Sequence, residues 1–443
     1  MSKEQLNDML KRLDLSEILT GLAPQGKNKK DTGSHKFWMT QPVPGYEEKI
    51  QEEGPIKVID PNTIEKEPSQ MYPGFEWVTM NLEDEKELEE VYDLLSNHYV
   101  EDDEAMFRFH YSSSFFDWAL RAPGWRKDWH VGVRATTSRK LVAFISAIPV
   151  EIRVRQNLVN TSEINFLCIH KKLRGKRLAP VLIKEITRRS YLENTFQGLY
   201  TAGVLLPKPV STCRYFHRSL NWEKLYEVGF SPMPPGSTVT RQVAKYRLPS
   251  KTSTAGARPM ETKDIDAVLS LLRRYLDKFD FVPMFTRDEV EHWFLHKPKA
   301  DDERVIWAYV VEDTSGKITD FFSFYCLEST VIASSKHKVV RAAYLYYYAT
   351  ETAFGNDQDA LKTRLNELMN DALILARNAK FDVFNALTLL HNPLFLEQQK
   401  FGPGDGQLHY YLFNYRTAPL LGGVDAQNSA SDKFMGGVGI VML

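Results

Sequence analysis

Cysteine is scarce in this chain: only Cys168, Cys213 and Cys326 occur in 443 residues. No two share a C-x-x-C spacing, which argues against a disulfide framework or structural zinc and for a reducing compartment. Long apolar runs are missing as well, so no segment would span a bilayer. The start, MSKEQLNDMLKRL, has no apolar core of signal-peptide length. Without such a signal the sequon Asn160-Thr161-Ser162 carries no meaning. Excess charge is missing too: the net charge is −1, so the protein as a whole has no electrostatic bias toward nucleic acid or membrane. No GxSxG, HExxH, Walker loop or EF-hand pattern occurs. These absences describe a soluble cytoplasmic protein without a metal site. What is present is 43% apolar residue, enough to build the cores of two or three average domains.

Residues 1–34 are polar and Lys-rich and read as a flexible segment, with a short helix candidate at 3–19. From His35 the chain turns aromatic and Pro-punctuated. DEKELEEVYDLL at 84–95 predicts a helix that leads into the loop HYVEDDEAMFRFHY at 98–111. LVAFISAIPV at 141–150 predicts a buried strand ended by its proline, and EINFLCI at 163–169 a second strand. The basic loop HKKLRGKR at 170–177 follows. Leu178, Val181, Leu182 and Ile186 then form one helical face, with Pro180 in the tolerated first turn. LYTAGVLL at 199–206 closes the unit as a strand.

The same order returns further on. A helix is predicted at 264–276, strands at 305–312, 320–327 and 343–349, a helix at 361–380 and a last strand in 381–390. Matching elements lie roughly 180 residues apart, which suggests a duplicated α/β (α+β) fold. The halves differ in one loop. Arg174-Gly175-Lys176-Arg177-Leu178-Ala179 stands between strand and helix in the first half, and Thr350-Glu351-Thr352-Ala353-Phe354-Gly355 in the second. Small and basic residues opening a helix offer unpaired N–H groups, a positive dipole end and cations, a site suited to pyrophosphate. The second loop lacks the cations and carries an acid. By itself HKKLRGKR also reads as a solvated basic loop or an import-like cluster.

The 174–179 segment resembles the acyl-CoA loop of the GNAT acetyltransferase superfamily, Arg/Gln-x-x-Gly-x-Gly/Ala, with Arg177 in place of the central glycine. That departure is typical of the N-myristoyltransferases. Glu163-Ile164-Asn165-Phe166-Leu167-Cys168-Ile169-His170-Lys171 matches one signature of that family, and Lys400-Phe401-Gly402-Pro403-Gly404-Asp405-Gly406 the other. The chain is therefore identified as resembling that family, in a fungal-like form, over nearly everything after about residue 35.

The resemblance implies two fused GNAT-like units, 35–206 binding myristoyl-CoA and 207–443 binding the acceptor peptide. It implies a transferase in protein lipidation, moving myristate to the α-amino group of an N-terminal glycine, with myristoyl-CoA as donor substrate and no permanent cofactor. Backbone N–H groups of Phe166 and Leu167 would form the oxyanion hole. The acyl-CoA site would comprise His35, Lys36, Phe37, Trp38, Asn165, Phe166, Leu167, Cys168, Ile169, Arg174, Gly175, Lys176, Arg177, Leu178, Ala179 and Pro180. The peptide would meet Tyr99, Asp102, Asp103, Phe107, Phe109, Tyr111, Asn165, Thr201, Tyr215, His217, Tyr346, Asp405 and Gly406. A monomer is expected, with ribosome association left open.

The same resemblance makes the main-chain carboxylate of Leu443 the base. An acceptor amine has a reference pKa of about 8 and a C-terminal carboxylate about 3.5, a gap of roughly 6 kcal/mol in water. Burial narrows that gap from both sides, and the apolar terminus GVGIVML would supply it. A Cys168–His170 or Cys213–His217 nucleophile pair is conceivable from proximity alone, and buried structural cysteines are the expectation. Three rival readings stay open: another GNAT acyltransferase, a non-catalytic acyl-CoA or peptide binder, and nucleic-acid binding through 170–177.

Overall fold

The computed structural model describes residues 36–99, 107–298, 303–332, 334 and 336–443. The segment 1–34 with its helix candidate, His35, Asp102 and Asp103 lie outside the described residues.

The first unit opens with β1 (Phe75–Thr79) and α1 (Glu85–His98). Asp84 caps α1 by accepting from the N–H groups of Lys86 and Glu87, and Glu85 and Glu87 sit favourably in its first turn. Leu88, Val91, Leu94 and Leu95 form its buried stripe. Next come β2 (Phe107–His110), α2 (Ser113–Leu120), β3 (His130–Ala135), β4 (Leu141–Val154) and β5 (Asn157–Ile169). The crossover helix α3 (Leu178–Leu192) then brings β6 (Gln197–Ala202) back parallel to β5. Buried Glu185 fastens α3. It accepts from Arg188 and Arg189 at 2.7 Å each, and Arg189 reaches Thr79 Oγ1 and the Asp128 carbonyl, both at 2.8 Å.

β7 (Ser211–Ser219), the short helices α4 (Trp222–Glu227) and α5 (Val239–Lys245), and β8 (Ala257–Pro259) lead into the second unit. Its elements are α6 (Ile265–Leu276), β9 (Phe281–Pro283), α7 (Arg287–Leu295), β10 (Ile306–Glu312), β11 (Ile318–Val331) and β12 (Val339–Thr350). The crossover helix α8 (Gln358–Asn378), the parallel strand β13 (Val383–Leu387) and β14 (Gly402–Phe413) complete it. Both units run through three antiparallel strands, a crossover helix and a parallel return. The class is α/β, built as two units of like topology.

Among the described residues, fourteen strands join one sheet. Its order is β1-β3-β4-β5-β6-β14-β7-β13-β12-β11-β10-β8, with β9 on β4 and β2 on β11. β14 sits between β6 and β7, so a strand of the second half completes the sheet of the first.

Two sequence expectations need correction. β4 continues through Pro149 to Val154. The ring is tolerated because β4 pairs with β3 only up to Ser146 and with β9 only from Ile152, so Pro149 has a ladder partner on the β5 side alone. The 199–206 strand ends at Ala202; beyond it, Val204 and Leu206 line a cavity instead.

Candidate active site

The site begins at an irregularity in β5. Phe144 pairs with Cys168 and Ser146 with Asn165, so Ile145 alone opposes both Phe166 and Leu167. This is a β-bulge, which takes the extra residue out of the ladder. Phe166 adopts φ 58°, a left-handed conformation costing about 1–2 kcal/mol for a residue with a Cβ. Its buried ring offsets that cost by packing against Tyr99 (5.8 Å between centroids), Tyr111 (5.7 Å) and Phe116 (5.6 Å). Burial, then Cys168, raise the Tyr99 phenol to about 12, while the Phe166 N–H acts against them as a donor to its oxygen.

β5 and β6 pair only from Thr161–Glu163 to Gln197–Leu199 and then part. A cavity of about 320 Å³ opens where they diverge, against α3. Ile145, Ile183, Ile186, Tyr200 and Phe413 supply apolar wall, while Asn165, Phe166, Leu167, Thr201 and Leu443 stand around it. Trp38 also lines it, stacked on Tyr200 at 5.4 Å, which stacks on Tyr411 at 4.9 Å.

The C-terminal strip reaches this cavity through the second unit. The Val438 N–H donates to Leu421 O and the Leu390 N–H to Val438 O, both at 2.9 Å. Tyr410 Oη donates to Ile440 O at 3.1 Å, and the Val441 N–H donates to Tyr347 Oη at 2.9 Å. Gly437 is required for the fit: a Cβ there would lie 2.2 Å from the Leu421 backbone. Val438–Met442 are buried and Leu443 is half-buried. Leu443 also lines a second cavity of about 30 Å³, whose walls include Glu163, Tyr346 and Tyr347.

At the other end stands the basic loop. Arg174, Gly175, Lys176 and Arg177 are exposed, Leu178 is buried, and Ala179 and Pro180 are half-buried. Gly175 and Arg177 have φ 81° and 59°. No side chain caps the first turn of α3, so its leading N–H groups are available to an external anion. Arg174 donates to the His98 carbonyl, which ties the loop to the end of α1. The His98 and His170 rings lie 4.0 Å apart, and burial together with His170, Lys171 and Arg174 lowers His98 to about 4.

The structure brings many of the sequence-selected residues together, with exceptions. Cys168 turns away from the cavity, its Sγ 3.8 Å from Leu94 O, and burial raises its thiol to about 12. Burial raises the Cys213 thiol as well. Ile169 packs in the cluster around Val142 and Leu182, so it and Cys168 back the site without lining the cavity. Lys36 is exposed and Phe37 meets Trp38 edge-on at 5.3 Å.

Of the peptide set, Tyr99, Phe109 and Tyr111 adjoin one another around Phe166. Phe107 joins a separate cluster with Phe230, which the His217 ring also meets at 5.5 Å. Asp405 and Gly406 stand in the bulged start of β14, in a strand rather than a free turn. Gly404 there packs so closely that a Cβ would lie 2.4 Å from His217 Nε2. Burial lowers the His217 pKa, opposed by Asn385 and Asp405. Tyr346 is enclosed by Trp118, Phe294 and Tyr325.

Sequence reasoning passed over Glu163. It is buried on β5, accepts from Asn165 Nδ2 at 2.8 Å, and burial raises it to about 7 against that bond. The single charged residue of β5, two positions before Asn165, was the available signal.

No group of three or more His, Cys, Asp or Glu side chains able to hold a metal ion occurs among the described residues, and none of their helices is long and apolar enough to cross a membrane.

Comparison with known proteins agrees with this geometry. Residues 55–213 match the N-terminal domain, and residues 227–441 the C-terminal domain, of myristoyl-CoA:protein N-myristoyltransferase. A glycylpeptide N-tetradecanoyltransferase of Emericella nidulans is 64% identical over 100% of this chain and 90% of its own length. The Saccharomyces cerevisiae enzyme of that name is 51% identical over 99% and 98%. A crystal structure of Saccharomyces cerevisiae N-myristoyltransferase with bound myristoyl-CoA superposes with a TM-score of 0.92 at 50% identity, covering 99% of this chain and 100% of that one. The chain therefore belongs to the myristoyl-CoA:protein N-myristoyltransferase family and is an acyltransferase.

Proposed function

We propose that the protein transfers myristate from myristoyl-CoA to the N-terminal glycine of acceptor proteins by direct attack of the amine on the thioester. One observation carries this reading: Phe166, Leu167 and Leu443 line a single cavity. The yeast relative was solved with myristoyl-CoA bound. Residues 35–206 hold the acyl-CoA, its pyrophosphate at Arg174–Pro180 and its chain between β5 and α3. Residues 207–443 complete the peptide groove and end in the base. The protein works in this reading as a cytoplasmic monomer.

The thioester carbonyl accepts from the bulge amides of Phe166 and Leu167. Donors fixed in advance on developing negative charge in a dry site are worth about 3–4 kcal/mol each. The Leu443 carboxylate removes a proton from the glycine ammonium, and Asn165 and Thr201 hold the amine. No acyl-enzyme forms, in keeping with the raised thiol pKa of Cys168.

The test is a protein extended past Leu443 by a few residues, with acyl-CoA binding measured in parallel. Turnover of a Gly-initiated peptide is expected to vanish while myristoyl-CoA binding survives. Unimpaired turnover in the extended protein would refute the carboxylate's role. Acetyl-CoA turnover exceeding that of myristoyl-CoA in the unmodified protein would overturn the choice of acyl group.

A further inference from the structure

The small cavity behind Leu443 has no part in the chemistry above, yet it is built around acids. Glu163, which lines it, is 7% exposed. Glu289 is half-buried, its Oε2 accepting from Thr286 N at 2.7 Å and Thr286 Oγ1 at 2.8 Å as part of the α7 cap. Glu151 is exposed on β4. The remaining wall is largely apolar, including Ile148, Phe285 and Trp293. Three carboxylates thus step from interior to solvent, starting in the cavity that Leu443 shares.

Packing does not call for an acid at 163. Its bond to Asn165 Nδ2 needs only an acceptor, which a glutamine oxygen supplies without burying a charge. Besides Leu443, the titratable groups facing it are Glu151, Glu289 and the Tyr346 and Tyr347 phenols. Burial raises both phenols, so they stay protonated, and Tyr347 Oη accepts the Val441 N–H. The cavity volume of about 30 Å³ exceeds the ~10–15 Å³ one water requires.

We infer that Glu163 is the exit station for the reaction proton, taking it from the Leu443 carboxylic acid through a water and releasing it to solvent past Glu289 and Glu151. This rests on the carboxylate-base reading. The amine nitrogen loses two protons in all. The first passes to the Leu443 carboxylate before the nitrogen lone pair attacks the thioester carbon. When the adduct collapses the C–S bond breaks, and the second proton goes to the departing thiolate. One proton per turnover therefore remains on Leu443 and has to leave before the next cycle. As the terminal acid gives it to the water, the water passes one of its own to a Glu163 oxygen.

The test compares Glu163→Gln with the unmodified full chain in pre-steady-state bursts across pH 5.5–8.5, with myristoyl-CoA affinity and Tm in parallel. The variant is expected to give a first turnover of normal rate and amplitude, then a steady state slower by at least about tenfold. The unmodified protein is expected to show a rise in steady-state rate through pH of about 7, the value to which burial raises Glu163, and the variant should lose it. Glu163→Asp, which keeps the ionisable group, should restore part of the rate. A steady state and pH profile equal to the unmodified protein's would overturn the relay. So would a burst lost together with acyl-CoA affinity, which would leave Glu163 only a positioning role beneath Asn165. A protein extended past Leu443 that keeps a normal burst would instead sink the base reading, whatever Glu163→Gln does.

Discussion

Both units carry the same irregularity, and they put it to opposite use. Roughly 180 residues after the Phe166–Leu167 bulge, β12 bulges at Tyr346–Tyr347: Phe322 pairs with Tyr348 and Phe324 with Leu345, leaving Ser323 opposite two residues. There Ser323 Oγ donates to Tyr347 O at 2.8 Å and accepts from Tyr347 N at 3.2 Å. The counterpart of Ser323 in the first unit is Ile145, which has no polar atom to offer. In both units the parallel pair spans three residues before diverging. The first gap holds the 320 Å³ cavity. In the second, the C-terminal strip is bonded to Tyr347 of β12 and to Leu390 just after β13. One copy is sealed from within and holds the chain end that lines the cavity of the other, open copy.

The comparison breaks most sharply at Ile145. Ile145→Ser would place in the first bulge the hydroxyl that closes the second. We expect the single-turnover rate to fall about 10²–10³-fold, the size of losing one oxyanion donor, with myristoyl-CoA affinity nearly unchanged. A normal rate in rapid-quench assays would show that the bulge amides do not meet the carbonyl.

The counterpart of Glu163 in the second unit is Ala343, so its burial is a cost the sealed copy avoids. Its pKa is raised from 4.5 to about 7, so the native state binds more protons than the unfolded state between those values. Stability is then lost as pH rises from about 4.5 to 7 and stays lost above. Glu163→Gln should accordingly be more stable than the unmodified protein by about 3 kcal/mol at pH 8. Urea melts should show the advantage shrinking to nothing near pH 4.5; a pH-independent difference would contradict the assigned burial.

Ser323→Ala removes the acceptor from the buried Tyr347 N–H and should cost about 1–3 kcal/mol. Because Tyr347 also holds the Val441 N–H, kcat should fall more than acyl-CoA affinity. Full stability in this variant would mean that the second bulge is not sealed by the serine.

How much of this was legible follows from what leaves a side-chain trace. The stripe and cap of α1, and the basic loop before α3, are spelled in residue types, and so was the duplication. The two bulges were not. Backbone donors have no letter of their own, and one extra residue in a run such as EINFLCI or YLYYYAT leaves both strands looking regular. The resemblance to a known family pointed to Phe166 and Leu167, but Ile145, the residue that leaves their bulge open, is just another apolar letter in β4. The place of Leu443 depends on contacts from Tyr347, Leu390, Tyr410 and Leu421, all remote in sequence. Cys168 and Ile169 back the cavity without lining it because a motif names neighbours in sequence, whereas strand alternation and the bulge decide which side chains face it.

The smallest effect tests the loops that follow the bulged strands. In the first unit Arg174 and Lys176 are exposed, and among the described residues neither has an ion-pair partner within 4.0 Å. In the second, Glu351 pairs with Arg274 at 3.0 Å and with Lys317 at 3.1 Å, and Arg274 also lies 4.0 Å over the Phe354 ring. The cations near the second loop are thus already engaged by the acid that the sequence contrast singled out. Arg174→Ala should weaken myristoyl-CoA binding by about fivefold at low salt, roughly 1 kcal/mol, as expected of a partly exposed charge contact. The deficit should shrink as ionic strength rises and the Debye length falls below about 8 Å. Arg274→Ala should leave acyl-CoA affinity unchanged under the same titration. Equal losses from the two variants would mean that the phosphate site is not confined to the open copy, and the contrast between the loops would then lie in shape rather than charge.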